Sequence, residues 1–464
     1  MSTLDLARLQ FASTSIYHFL FVPLTIGLGL LTAVLQTRWH RTGEPEYLRL
    51  TRFFGTLLVI NVAVGVVTGL VQEFQFGMNW SGYSRFVGDV FGAPLAMEGL
   101  AAFFLESTFL GLWLFGWGRL SPRVHLATIW AVALGGVLSA AFIMAANSWM
   151  QNPVGYAIDP ATGRAQLTDI GAVLTNPVFL RSYLHVLLAS VVTAAVVMLA
   201  ISAWHLRRSS GATGFDRSAR IAIAVLAPAT AINLLVGSEL GVTEGVYQPM
   251  KIAAAEAQWE TCQPCAFSLF QIGGGNNDKT PTQIIEVPHL LSVLATNSWN
   301  GQVVGLNELQ AQYAAQYGPG DYVPNVFIQY WSMRTMAYLG SLILLVGLWG
   351  LWRLWRRKRL ADSRWFLRVA IWSLPLPFLV NTAGWILTEN GRQPWIVQGL
   401  QQTRDAVSPS VGTAAIVTSL VVFVLLYGAL AIVDWILMAR YARKELAPEP
   451  SRDDVPAPAM EPSY

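Results

Sequence analysis

"SIYHFLFVPLTIGLGLLTAVL", residues 15–35, is an apolar run broken near its start by one histidine, His18. Its length decides the fold. A membrane-spanning helix needs roughly 20 mostly apolar residues, and a barrel strand only about 9–11. In hydrocarbon the backbone must bond to itself, so a run of this length is a helix. Eight more runs of the same kind follow, at about 53–73, 93–117, 125–149, 181–206, 218–242, 326–352, 365–388 and 410–438. The expectation is an all-α integral membrane protein with nine transmembrane helices.

Composition agrees. The chain is 54% hydrophobic and 12% charged, with mean hydropathy +0.45; an ordinary soluble domain carries about 25% charged residues. A net charge of +3 gives no argument for a nucleic-acid partner. Two cysteines exclude a disulfide scaffold and any multi-cysteine iron–sulfur or zinc site. The first run is too long for a signal-peptide core and lacks a small-residue cleavage site.

Basic residues set the expected orientation. The segments 36–52, 118–124, 207–220, 353–364 and 439–452 hold most of the 30 Lys and Arg, with "RLWRRKRL" (353–360) the densest. All five lie on one side, which is then cytoplasmic. The N-terminus falls outside and the C-terminus inside. The chain divides into six spans (1–242), a long outer loop (243–325), three spans (326–440) and a cytoplasmic tail (441–464). "ELAPEPSRDDVPAPAM" (445–460) is Pro- and charge-rich, so the tail is expected to be disordered. A loop as long as 243–325 without structure of its own is usually functional. No internal repeat is visible.

Intramembrane ionisable residues default to a functional hypothesis. His18, Glu98, Glu106, His185 and Arg334 lie in the outer half of their spans, Glu389 closes the eighth, and Met336 follows Arg334 by two residues. His18, Glu98, His185 and Met336 share a depth. Glu106 is eight residues past Glu98, about 12 Å deeper and about 80° around the helix, so both carboxylates can line one inward path. His40, His125, His205 and His289 read as interfacial or loop residues. Taken singly, His18 reads equally as a hydrogen-bonded core residue, and Met336 as core filler. Together, two imidazoles, a thioether and buried carboxylates favour haem over zinc. The residues alone leave two readings open: a multi-haem redox protein, or an ion-coupled transporter whose carboxylates carry protons.

The ordered blocks are more specific. "RLQFASTSIYHFLFVPLTIG" (8–27), "GLVQEFQFGMNW" (69–80), "FGAPLAMEGLAAFFLESTFLGLW" (91–113), "ANSWMQNPVG" (146–155), "KIAAAEAQWET" (251–261) and "GRQPW" (391–395) resemble subunit I of the cytochrome bd-type quinol oxidases, in its short-loop branch. The resemblance implies quinol oxidation at the outer face and reduction of dioxygen to water with protons from the cytoplasm, so that turnover is electrogenic. It implies two b-type haems and one d-type haem, or a third b-type haem in its place. The partners implied are a second membrane subunit (subunit II), small single-helix subunits, quinol, dioxygen and the bilayer of a bacterial cytoplasmic membrane.

Residue by residue, His18 matches an axial ligand of an active-site haem. His185 and Met336 match the ligands of the low-spin b haem, and Glu98 and Glu389 match carboxylates at the active-site haem irons. Glu106 matches a carboxylate on the proton route, and Lys251 and Glu256 match residues of quinol oxidation. Arg334, Trp385 and Arg392 match residues near haems or propionates. Lys251 and Glu256, five apart on one short helical stretch, are expected to project from nearby faces. Cys262 and Cys265 in "TCQPC" depart from the family pattern. On the oxidising side a disulfide is expected; a redox switch or half a zinc site are the alternatives.

Overall fold

The computed structural model describes residues 2–208 and 212–447. Among these residues, nine helices are long and apolar enough to cross a membrane: α1 (Thr3–Thr42), α2 (Pro45–Met78), α3 (Ser81–Phe115), α4 (Pro122–Gln151), α5 (Pro177–Arg208), α6 (Gly214–Tyr247), α7 (Val326–Trp355), α8 (Arg364–Gly391) and α9 (Thr413–Ala442).

Most run past the apolar stretch, because local capping extends them. α1 begins before residue 11 since Ser2 and Asp5 form a reciprocal cap: Asp5 N donates to Ser2 Oγ at 3.1 Å, and Ser2 N to Asp5 Oδ2 at 3.0 Å. α7 starts where expected, because Asn325 Oδ1 accepts from Ile328 N at 3.0 Å. α8 is broken into Arg364–Trp372 and Leu376–Gly391. Pro375 and Pro377 lie at the break, and neither can donate to the preceding turn. α3 contains a π-helical turn, Glu98–Phe103.

α1 and α5 form the centre of the bundle with α2 and α6. The packed core includes Leu28 and Leu35, Phe54 and Leu57, Val196 and Leu199, Ile223 and Leu226. The α1–α5 crossing is close: a Cβ on Gly27 would stand 2.1 Å from Ser190 O, so only glycine fits. His125 and His205, expected at the interface, are buried instead. His125 is bonded through Nδ1 to Gln36 (2.8 Å) and through Nε2 to Trp113 O (2.9 Å). His205 Nε2 meets Ala442 O at 2.9 Å.

The long loop is not structureless. It holds a short helix (Pro249–Ala255), a hairpin of β-strands Phe267–Ile272 and Thr282–Val287, and helices Leu290–Thr296 and Leu306–Tyr317. The expected tail begins inside α9, which runs to Ala442. Leu446 is buried, and its carbonyl accepts from Arg49 Nη2 at 3.3 Å. The rest of the tail, 448–464, lies outside the described residues.

Candidate functional site

His18 stands on α1 against α2. Its Nδ1 is 2.9 Å from Thr68 Oγ1, and that hydroxyl also reaches Val64 O (3.1 Å) and Gly65 O (2.9 Å). The hydroxyl hydrogen belongs to its own helix, so the oxygen accepts from His18 Nδ1–H. That fixes the tautomer and leaves the Nε2 lone pair free, as a metal-ligating histidine requires. Gly69 leaves room beside the ring: a Cβ there would lie 3.1 Å from Cε1.

His185 on α5 faces Gly237 of α6, where a Cβ would lie 3.1 Å from its Cε1. Its Nδ1 is buried and points toward the Asn233 backbone without completing a hydrogen bond of normal geometry. Met336 Sδ on α7 lies against Gly384 of α8. The next residue, Trp385, packs edge-on against Phe19 at 5.0 Å. Adjacent α8 residues therefore touch Met336 and the neighbour of His18, which brings the two into one region.

Glu98 accepts from Ser139 Oγ of α4 at 2.8 Å. Glu106 sits over Gly135, whose added Cβ would come within 2.9 Å of Glu106 Cβ. Ser139 and Gly135 are four apart, hence on one stripe of α4. The π turn explains how both carboxylates reach that stripe. It absorbs one extra residue, so eight residues turn the helix through roughly seven steps, and the angle between them shrinks from about 80° to about 20°. Glu73 of α2 is within electrostatic range of Glu98.

Glu389 accepts from Asn147 Nδ2 at 3.0 Å and is ion-paired with Arg392. Arg392 is buried, and its Nε and Nη1 have no partner; the Tyr83 hydroxyl, in electrostatic range, has none either. Unused buried donors of this kind fit an anionic group.

Lys251 and Glu256 do not project together. The short helix ends at Ala255, and Glu256 is its cap. Lys251 turns toward α4 and α6, with Nζ 2.5 Å from Gln151 Oε1 and 2.9 Å from Glu244 Oε1. Glu256 turns toward α7, where Arg334 Nη2 donates to it at 2.7 Å. Arg334 also donates to Ala255 O and Ser268 O, both at 2.6 Å, and lies over the Tyr330 ring. Its Nη groups are thus committed to the loop. Burial pushes the Glu256 carboxyl above the usual range, and the Arg334 guanidinium pulls it back. Cys262 and Cys265 are joined by a disulfide, and Cys262 pairs with Val303 across the loop (N to O, 3.1 Å).

The fold and these blocks coincide with a known family. A model of the cytochrome bd terminal oxidase subunit I matches residues 6–446. The chain belongs to that family. It is 44% identical to the cytochrome bd ubiquinol oxidase subunit 1 of Bacillus subtilis (strain 168), covering 98% of this chain and 97% of that one. It is 39% identical to the cytochrome bd-II ubiquinol oxidase subunit 1 of Escherichia coli (strain K12), covering 98% of each. The solved structure of bd oxidase from Geobacillus thermodenitrificans superimposes with a TM-score of 0.86 at 30% identity, covering 95% of this chain and 98% of that one. A subunit I of this family implies haem cofactors, a quinol substrate and a second subunit.

Several residues that build this subunit I site escaped sequence reasoning. Thr68, Ser139, Asn147 and Gln151 are neutral side chains with no pattern that announces them. Glu73 and Glu244 carried a signal, a lone acid near the outer end of an apolar run.

Proposed function

We propose that this chain is the haem-bearing, quinol-oxidising subunit of an electrogenic terminal oxidase, with the loop 243–325 and the N-terminus outside the cytoplasmic membrane. His18 would hold an active-site haem through Nε2, with Glu98 and Glu389 as carboxylates at the active-site irons. His185 and Met336 would hold a low-spin b haem, and Arg392 a propionate. The space beside His18, His185 and Met336, and the unused donors of Arg392, fit such groups. The haems, two b-type with one d-type or a third b-type, supply electron transfer and dioxygen reduction when bound.

The chain's own part is positional and protonic. Glu256 accepts a quinol proton at the outer side, and Lys251 orients the loop through Glu244 and Gln151. Glu106 and Glu98 pass protons outward from the cytoplasmic end of α3 along the α4 stripe. Each charge so moved is worth about 2.3 kcal/mol per 100 mV, so turnover conserves energy without a pump.

One observation carries this reading. Glu256 is ion-paired to Arg334, two residues from Met336, so the loop carboxylate is joined to the helix that would carry the electron acceptor. The test is a reduced-minus-oxidised spectrum of the purified complex, with oxygen uptake driven by quinol. Low-spin haem bands and uptake are expected. A protein without haem bands, or with bands and no uptake, would overturn it.

A further inference from the structure

α9 carries one carboxylate in its span, Asp434, which none of the chemistry above uses. It lies eight residues before Ala442, about 12 Å from the inner end of the helix. Glu106 lies nine residues before Phe115, the inner end of α3, and so at nearly the same depth. Asp434 shares a helix face with Tyr427 and Met438, which pack inward, while Val433 and Trp435 beside it are exposed. Its Oδ1 is buried with no hydrogen-bond partner. A second orphan stands on α1, where the Tyr17 hydroxyl is buried, unpartnered and within electrostatic range of Asp434. Tyr17 stacks on Tyr427 with centroids 4.7 Å apart. The Tyr427 hydroxyl reaches Thr68 O at 3.4 Å, and the Thr68 side chain holds His18. Polar oxygens thus lead from mid-membrane on α9 to the His18 region, on a face of α1 different from the one Glu106 uses.

A carboxylate at that depth is costly, and an orphaned oxygen makes it costlier unless the group is used. We propose that Asp434 is a second proton-relay residue, feeding the His18 region along the α9–α1 face in parallel with Glu106. The step is a plain transfer. Asp434 takes a proton from the cytoplasmic side, its O–H bond breaks as one forms on the next oxygen, and the tyrosines stay neutral by exchanging their hydroxyl hydrogens. No electron moves. The proposal rests on the oxidase reading and its orientation.

The experiment compares Asp434→Asn and Asp434→Glu with the parent in the assembled complex. In Asp434→Asn, haem spectra, subunit content and electron entry from quinol should match the parent, while the proton uptake linked to oxygen reduction slows roughly tenfold or more. Asp434→Glu should restore most of the rate. A carboxyl stretching band that shifts on reduction should vanish in the Asn variant and return in the Glu variant. Parent-like proton uptake in Asp434→Asn, or loss of a partner subunit from it, would overturn the proposal, the latter making Asp434 an assembly anchor. A parent complex without haem or quinol-driven uptake would instead fail the oxidase reading itself.

Discussion

Arg334 donates to Glu256 at 2.7 Å, and both side chains are almost wholly buried. The same guanidinium holds Ala255 O and Ser268 O, so one α7 residue binds the short helix and the hairpin of the outer loop at once. The pair is both a rivet and an electrostatic control, and the two roles separate experimentally.

Arg334→Gln removes the cation that lowers the Glu256 carboxyl. A carboxylate that accepts a quinol proton must be ionised, and without Arg334 it ionises only at higher pH. The acid limb of the quinol kcat/KM profile should therefore move to higher pH, while Arg334→Lys keeps it near the parent position. A limb that stays put in Arg334→Gln would remove Glu256 as the proton acceptor.

Met336→Leu should convert the low-spin haem toward high spin and leave the other haems unchanged. Leucine fills similar volume, so packing against Gly384 survives while the thioether is lost. The measurement is the low-spin absorption band and its electron paramagnetic resonance signal. An unchanged band would exclude Met336 as a ligand.

Glu244→Gln strands the buried Lys251 ammonium. Breaking a buried pair from one side costs roughly 3–5 kcal/mol, whereas replacing both partners with apolar groups is much milder. Thermal unfolding of the complex should show Glu244→Gln as more destabilising than the double variant Glu244→Leu/Lys251→Met. The reverse order would mean that Lys251 is hydrated in the native state.

Glu106→Gln keeps shape and haems but removes the exchangeable carboxyl. Electron entry should remain normal, with the proton-coupled steps of oxygen reduction slowed about 100-fold or more. Full turnover with normal proton uptake would end its assignment as a relay.

Cys262→Ser with Cys265→Ser should change global stability little, because closing so short a loop removes little chain entropy. The loop stays pinned by the Cys262–Val303 backbone pair and by Thr261 Oγ1, which donates to Glu308 at 2.6 Å. A large drop in melting temperature would show that the disulfide bears more of the loop than this.

The spans were legible because a bilayer imposes one length on every crossing, and His18, Glu98 and Glu106 because charge is rare there. What the periodicity missed came from three-dimensional pairing. The short helix suggested that Lys251 and Glu256 act side by side, but each found a partner more than a turn away in another element: Glu244 and Gln151 for one, Arg334 for the other. His125 and His205 looked interfacial because they stand at span ends, yet helix carbonyls and Gln36 gave them buried partners. Asp434 was as visible as Glu106; attention to the outer half passed it over.

The π turn at Glu98–Phe103 makes chain length itself a determinant of the conducting path. Deleting one residue between Glu98 and Glu106 would let the turn relax to a regular α-helix and swing everything after it by about 100°. Both acids would still be present, and a comparison of compositions would register nothing. Yet Glu106 would leave Gly135 and face elsewhere in the bundle. When homologous chains are aligned across this stretch, a single-position gap is therefore a change of wiring, and should be weighed as heavily as the loss of either carboxylate.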